Sequence, residues 1–391
     1  MTNEATLSFI RQHQDDNPQQ LALRGCKDPA VDFRFALQQI QGRQKAEYKL
    51  PDLFATPNIL YPPTISLEQC SSTVTAAYKA ELIQGQSIID FSGGFGIDTF
   101  AFARKFQTCH YVEPQTELCN LMEHNSKQLG INNINVHLGT MEDHIDALSY
   151  ADVIFVDPSR RNNDGNRVIS IDQCSPNIIL WKDRLLQKAE TVLVKLSPMI
   201  DLKQSLRQLP ETNEVHVVAV NGECKEILLL LSRNQTQERI FHTINFKDGE
   251  RQVFTFSEQE ELNAVPEIAT EALKYLFEPN AAIMKSGAFK TISIRFNLKK
   301  LHPHSHLYFG DNIISEFPGR IFFIQDIFSM GKESLKTHLS NVKQANVAVR
   351  NFPLTADELK KRLHMKDGGN MFLFGTTWKN DEKVIILSQK A

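Results

Sequence analysis

No run in this 391-residue sequence approaches the length of a membrane span, and the start, Met1 to Ile10, lacks the apolar stretch of a signal peptide. A cytoplasmic protein with no membrane partner is expected. Cysteine is sparse and scattered: the six, at positions 26, 70, 109, 119, 174 and 224, show no Cys-x-x-Cys spacing and no paired histidines nearby. That pattern excludes a disulfide framework and suggests no zinc site, so free thiols and no metal are expected. Repeats and low-complexity tracts are missing too. What is present is 41% hydrophobic residues with near-average charge, the mark of a chain that folds throughout and, at this length, over more than one core.

The net charge of -3 hides an asymmetry. From Lys285 to Ala391 there are 17 Lys and Arg against 9 Asp and Glu, a local balance of +8 that leaves -11 for everything before it. A basic module on a more acidic body is what an electrostatic grip on phosphate requires, because Lys and Arg gain affinity by displacing counterions. A solvated basic surface is the ordinary alternative.

Residues 4 to about 45 carry apolar positions at helical spacing, among them Phe33, Leu37 and Ile40, and predict short packed helices. Prolines 51, 57, 62 and 63 break the pattern, after which Leu67 to Leu82 reads as one helix. From Ser87 onward the strand-like runs Ile88 to Phe91, His110 to Val112, Ile134 to His137, Val153 to Val156 and Thr191 to Leu196 alternate with helical stretches. That alternation predicts a doubly wound parallel sheet. Val215 to Val220 and Ile227 to Ser232, joined through Asn221-Gly222, predict an antiparallel hairpin instead. After about residue 235 the texture changes. Runs at Arg239 to Phe246 and Phe254 to Phe256, a helix over Ile268 to Phe277 and the run Thr291 to Phe296 suggest a small α+β unit. Between Arg320 and Ser388 a strand, helix, strand, helix, strand, strand pattern suggests another.

The segment Ile88 to Asp98 puts Gly93, Gly94 and Gly96 between a buried strand and a helix, where bare backbone and helix-start N–H groups face a ligand. Glu113, 23 residues after Asp90, falls at the end of the next strand, where a carboxylate can accept both ribose hydroxyls. A dinucleotide enzyme fits these features equally. Three others separate the two readings. Counted from Gly94, the dinucleotide pattern Gly-x-Gly-x-x-Gly is met at Gly96 and fails at Thr99. Asp90 and the polar turn Asp157-Pro158-Ser159-Arg160-Arg161 suit a cationic amino-acid tail and a methyl acceptor, and the sheet closes on a hairpin.

Asp90 to Asp98, Glu113 and Asp157-Pro158 resemble the first, second and fourth motifs of class I S-adenosylmethionine-dependent methyltransferases. Leu67-Glu68-Gln69-Cys70-Ser71-Ser72, Asp157 to Arg161, Lys195-Leu196-Ser197-Pro198-Met199, Val349-Arg350-Asn351-Phe352-Pro353 and Asp367-Gly368-Gly369 resemble the bacterial THUMP-like methyltransferase family, over nearly the whole chain. The resemblance implies an α/β fold: an N-terminal helical region (1–64), a Rossmann-like class I methyltransferase sheet (65–235), a ferredoxin-like domain (236–297) and a THUMP-like domain (298–391). It implies S-adenosylmethionine as cofactor, held by Asp90, Ser92, Gly93, Gly94, Gly96, Asp98 and Glu113. Because THUMP domains proper bind RNA, it also implies a tRNA or rRNA partner. Where many relatives place an acid beside the adenine this chain has Thr140, so Thr140 or the displaced Glu142 is expected to bond the adenine amine.

Methyl transfer is an in-line displacement, so the protein chiefly positions the acceptor and manages its proton. Asp157 is the candidate to bind or deprotonate the acceptor; its ordinary role is to cap the turn before Pro158. Lys195 follows a buried strand and needs a partner there, which groups it with Asp157, Pro158 and Arg160 as the catalytic set. Gln69, Ser71, Ser72 and Arg161 are expected to contact substrate, against helix capping for the serines and surface ion pairs for the arginines. Carbon-5 pyrimidine chemistry needs a thiolate, and Ser159 stands where one such class has cysteine, leaving only Cys174 and Cys224. Adenine-amine chemistry needs an aromatic residue that this turn lacks. A nucleotide nitrogen or oxygen is therefore the expected acceptor. A noncatalytic RNA-binding module on the same fold, and a methyltransferase of proteins or small molecules, are the alternatives.

Overall fold

The structure, a computed structural model, describes residues 3–159, 170–234 and 236–391. Arg160 and Arg161, assigned above to catalysis and substrate, lie outside the described residues. The chain divides into two units, one comprising the residues up to Thr212 with the segment from Leu229 to 235, the other residues 213–228 and 236–391. Among the described residues no helix is long and apolar enough to cross a membrane.

In the first unit five strands run parallel: β1 (Ser87–Asp90), β2 (Thr108–Glu113), β3 (Ile134–Leu138), β4 (Ala151–Val156) and β5 (Ala189–Leu196). Their order is β3-β2-β1-β4-β5, each step across the sheet hydrogen-bonded in parallel register. Such strands are covered on both faces and need continuous apolar runs. In β4, Val153 to Val156 are at most 1% exposed. The N-terminal helical region shares this core: Ala46, Leu50 and Leu53 pack in one cluster with Phe95, Ile97, Phe100 and Tyr111 around the glycine segment.

The single helix expected over Leu67 to Leu82 is two, Thr64–Gln69 and Thr73–Leu82. The break has a local cause. Ser72 has extended backbone, and its hydroxyl accepts from the Thr75 amide in a reciprocal cap that starts the second helix. The interruption leaves Ser71 between helices.

Four more strands follow, β6 (Thr212–Val220), β7 (Glu223–Ser232), β8 (Ile240–Lys247) and β9 (Glu250–Ser257); the second unit takes β6 from residue 213, β7 as far as Leu228, and all of β8 and β9, with β8 parallel to β6 and antiparallel to β9. The β6–β7 connection is Asn221-Gly222, both with positive φ (51° and 79°), the tight-turn geometry that Asn-Gly favours. β8 hydrogen-bonds along seven residues of β6, so the strands after residue 235 pair with those before it.

A second sheet is built from β10 (Tyr275–Pro279), β11 (Lys299–His302), β12 (Ser305–Gly310), β13 (Gly319–Ser329), β14 (Asn346–Arg350), β15 (Met371–Thr377) and β16 (Lys383–Lys390), in the order β11-β12-β10-β13-β16-β15-β14. Leu276, Phe309, Phe322, Phe374 and Ile386 pack on one side of it and Phe328, Leu359, Leu373 and Ile385 on another. The helix expected over Ile268 to Phe277 is not formed. Leu276 and Phe277 are fully buried in β10, between β12 and β13, and that burial overrides the helical spacing of the sequence.

Candidate active site

The glycine segment follows β1 and enters the helix Ile97–Ala103. Each glycine has its own reason. A Cβ on Gly93 would come within 2.2 Å of the Tyr111 ring, and Gly96 combines φ of 84° with the Met122 methyl 2.1 Å from where its Cβ would lie. Gly94, with φ of 53°, would meet only the Ser92 carbonyl, at 3.7 Å, so its bare backbone faces open space. Glu113, buried at the tip of β2, accepts from the Gly94 amide at 2.9 Å and the Gln115 amide at 3.0 Å. A carboxylate with two such bonds keeps lone pairs for further hydroxyl donors. Open backbone beside an ionisable acceptor is a cradle that fits a nucleoside.

Asp90 sits differently from its expected place beside a cationic tail. It is 1% exposed, and both oxygens are taken inside the protein: one by the Ser92 amide (2.9 Å) and hydroxyl (3.2 Å), the other by the Thr99 hydroxyl (2.6 Å). Thr99, the position that breaks the dinucleotide pattern, is the residue that holds Asp90. Burial pushes Asp90 up to about 7, against the lowering effect of the bonds from Thr99 and Ser92. Ser92 does a second job, because its hydroxyl accepts from the Asp157 amide at 2.7 Å and so ties the glycine loop to the end of β4.

At that end of β4 a polar cluster gathers residues from four elements. Lys195, on β5, reaches Asp157 at 2.5 Å, the Ser71 hydroxyl at 3.3 Å and Asp98 at 3.8 Å. Ser71 donates to Asp98 at 2.7 Å, and Lys79, on the helix Thr73–Leu82, lies 3.2 Å from the other Asp98 oxygen. The Lys79 side chain is wholly buried, those of Lys195 and Asp98 are each 12% exposed, and Asp157 is 36% exposed. Burial by itself raises Asp98; the Lys79 and Lys195 ammonium groups, with the Ser71 hydroxyl, outweigh it and hold the carboxyl below its usual range. Asp157 is thus the outward end of a buried charge network.

Of the residues singled out from sequence, the fold brings together Ser71, Asp90, Ser92, the three glycines, Asp98, Glu113, Asp157 and Lys195. Four others stand apart from this cluster. Ser72 is a helix cap; the Thr140 hydroxyl is held by Asp143, in the cap of the helix Met141–His144; and Gln69 and Glu142 are exposed. Lys79 was missed. A lysine at a position whose neighbours Ala76 and Ala80 are apolar was the available signal, since burying an ammonium demands an acid. All six cysteines are free. Burial pushes the Cys224 thiol up to about 11, the opposite of what a nucleophile needs.

Parallel strands in this order, a glycine loop after the first, an acid ending the second and a polar tip on the fourth define a class I methyltransferase. Residues 275–318 match a ferredoxin-like domain family and residues 319–390 a THUMP domain-like family. The crystal structure of a "putative methyltransferase" from Porphyromonas gingivalis W83 shares 34% identity and a TM-score of 0.89, over 99% of this chain and 98% of that one. Proteins from two strains of Mycobacterium tuberculosis, each named as an uncharacterized S-adenosylmethionine-dependent methyltransferase, are 22% identical over 330 residues, covering 83% of this chain and 87% of theirs. The chain belongs to the THUMP-like family of class I S-adenosylmethionine-dependent methyltransferases, and S-adenosylmethionine is its cofactor.

Proposed function

We propose that this methyltransferase acts on a nitrogen or oxygen atom of a nucleotide in a structured RNA, tRNA or rRNA, with Asp157 receiving the acceptor's proton. The observation that carries the reading is the Asp157–Lys195 contact at the mouth of the cradle. When bound, the cofactor supplies an electrophilic methyl carbon. Gly94 would give it bare backbone, Gly93 and Gly96 let the loop pack against Tyr111 and Met122, and Glu113 would take its ribose hydroxyls. Lys195 bonds Asp157 and aims it; Asp98, with Ser71 and Lys79, holds Lys195. An ionised carboxylate on a buried ammonium can bond an N–H or O–H donor and accept its proton as the acceptor's lone pair is engaged. The raised thiol of Cys224 argues against a covalent route to a pyrimidine carbon.

The RNA part of the reading rests on the THUMP domain-like match and the basic balance of residues 285–391. Glu278, just before that region and 3% exposed in its side chain, binds two arginines within it, Arg320 through Nε at 2.8 Å and Arg350 through Nη2 at 2.8 Å, and those arginines remain 45% and 34% exposed. Guanidinium groups fixed from behind and open in front suit phosphate.

The test is to map methylated nucleotides in RNA from cells with and without the gene, complemented by the wild type or by Asp157→Asn. One mark lost on deletion, restored by the wild type and not by the variant, is expected. An unchanged profile overturns RNA methylation and favours the binding module or another class of acceptor.

A further inference from the structure

We infer that the second unit carries a binding site for a zinc-like divalent ion, formed by Glu214, His216 and His242. The three come together through strand pairing. His216 on β6 lies directly opposite His242 on β8, and Glu214, two residues before His216, shares its face of the strand. The two imidazole rings stack at 4.5 Å with 15° between their planes. Their Nε2 atoms converge on one carboxylate oxygen, Glu214 Oε2, at 3.2 Å from His216 and 3.7 Å from His242. All three ligand atoms lie within 4.8 Å of one another.

Those distances suit a shared ion better than a set of hydrogen bonds. At 3.7 Å, His242 Nε2 is beyond hydrogen-bond reach of the carboxylate it faces. A tetrahedral ion with bonds of about 2.0–2.1 Å separates adjacent ligand atoms by about 3.3 Å, close to both spacings. The outer atoms are also arranged for it. His242 Nδ1 is 3.0 Å from the Thr255 hydroxyl, which sits opposite it on β9; a proton donated there leaves the Nε2 lone pair for a metal. The His216 side chain is 4% exposed, His242 26% and Glu214 46%, so the cluster is anchored on the buried side and open to entry, with room for water as a fourth ligand.

Two imidazoles and one carboxylate select zinc, cobalt, nickel or copper over magnesium or calcium, which prefer all-oxygen shells. The expectation of no metal was drawn from the cysteines and the histidines near them, a pattern that does not register this set. Residues 214, 216 and 242 are distant in sequence and are joined by the parallel pairing of β6 with β8.

The test uses the full chain, stripped with EDTA and dialysed at pH 7.5, titrated with ZnCl2 in a calorimeter and with CoCl2 in a visible spectrophotometer. One equivalent of zinc, and tetrahedral cobalt bands, are expected from the wild type. His242→Ala and Glu214→Gln, both partly exposed positions checked for folding by circular dichroism, should each weaken zinc binding by at least about tenfold, and Thr255→Val by about 10–100-fold. Failure of the wild type to take up either metal overturns the assignment. Equal uptake by wild type and both ligand variants overturns it as well, because the metal then sits elsewhere.

Discussion

Two buried carboxylates, one in each unit, are each flanked by two cations and do opposite things. Asp98 faces Lys79 and Lys195, whose side chains are 0% and 12% exposed; Glu278 faces Arg320 and Arg350, at 45% and 34%. In the first the charges close inward, and the only partly open member is Asp157, beyond Lys195. In the second the charges look outward. A compact ammonium held by a buried acid can tune a neighbour, whereas a planar guanidinium gripped at one edge still has donors to offer. On the proposed function, the same motif of acid and paired cations would serve proton handling in one place and anion presentation in the other.

The sharpest break in that comparison is catalytic. Asp157→Asn should lower the methyl-transfer rate by about 10²–10⁴-fold on the RNA that carries the mark, measured under single-turnover conditions. A variant as fast as wild type removes Asp157 from the chemistry. Next is stability. Asp98→Asn strands buried ammonium groups and should cost about 3–5 kcal/mol in urea unfolding, while Glu278→Gln should cost less because its arginines can rehydrate. The reverse ranking would mean that exposure does not distinguish the two clusters.

A smaller effect is expected on binding. Replacing Arg320 and Arg350 together by Ala should weaken RNA retardation uniformly and flatten the slope of log affinity against log salt by about 2. An unaltered slope would take these side chains off the phosphate surface. The smallest effect is a pH slope. Burial raises Asp90 from 3.8 to about 7, so the folded chain keeps a proton that the unfolded chain releases above pH 3.8. That contribution is whole below about pH 3.8 and lost as pH rises through about 7. Asp90→Asn cannot ionise, so its melting temperature should gain on the wild type's across that window; a constant offset would show that Asp90 does not titrate there.

The sheet and the glycine loop were legible in the sequence because each is specified locally, by continuous apolar runs and by glycines set between a strand and a helix. Glu113, Asp157 and Lys195 were legible for the same reason, since each sits at the end of a recognisable strand. Ser71 was expected at the substrate and Lys79 was missed, because their meeting with Asp98 depends on how the two helices before β1 fold back on the loop. The helix expected at Ile268 to Phe277 shows the reverse limit: a spacing that suits a helix is overruled when both neighbours of β10 demand a strand. The role of Thr99 was visible only as a missing glycine, and its meaning came from what its hydroxyl touches.

Ser92 donates to Asp90 and accepts from the Asp157 amide. In the proposed reaction one oxygen atom is thus a common datum for its two halves, the seat proposed for the methyl donor and the acid proposed to meet the acceptor. Errors in their alignment cannot accumulate independently, because any drift of the loop carries the turn with it. In a displacement where a misplacement of about 1 Å can cost about 10²-fold in rate, a shared reference point limits the tolerance of the whole assembly to that of a single side chain.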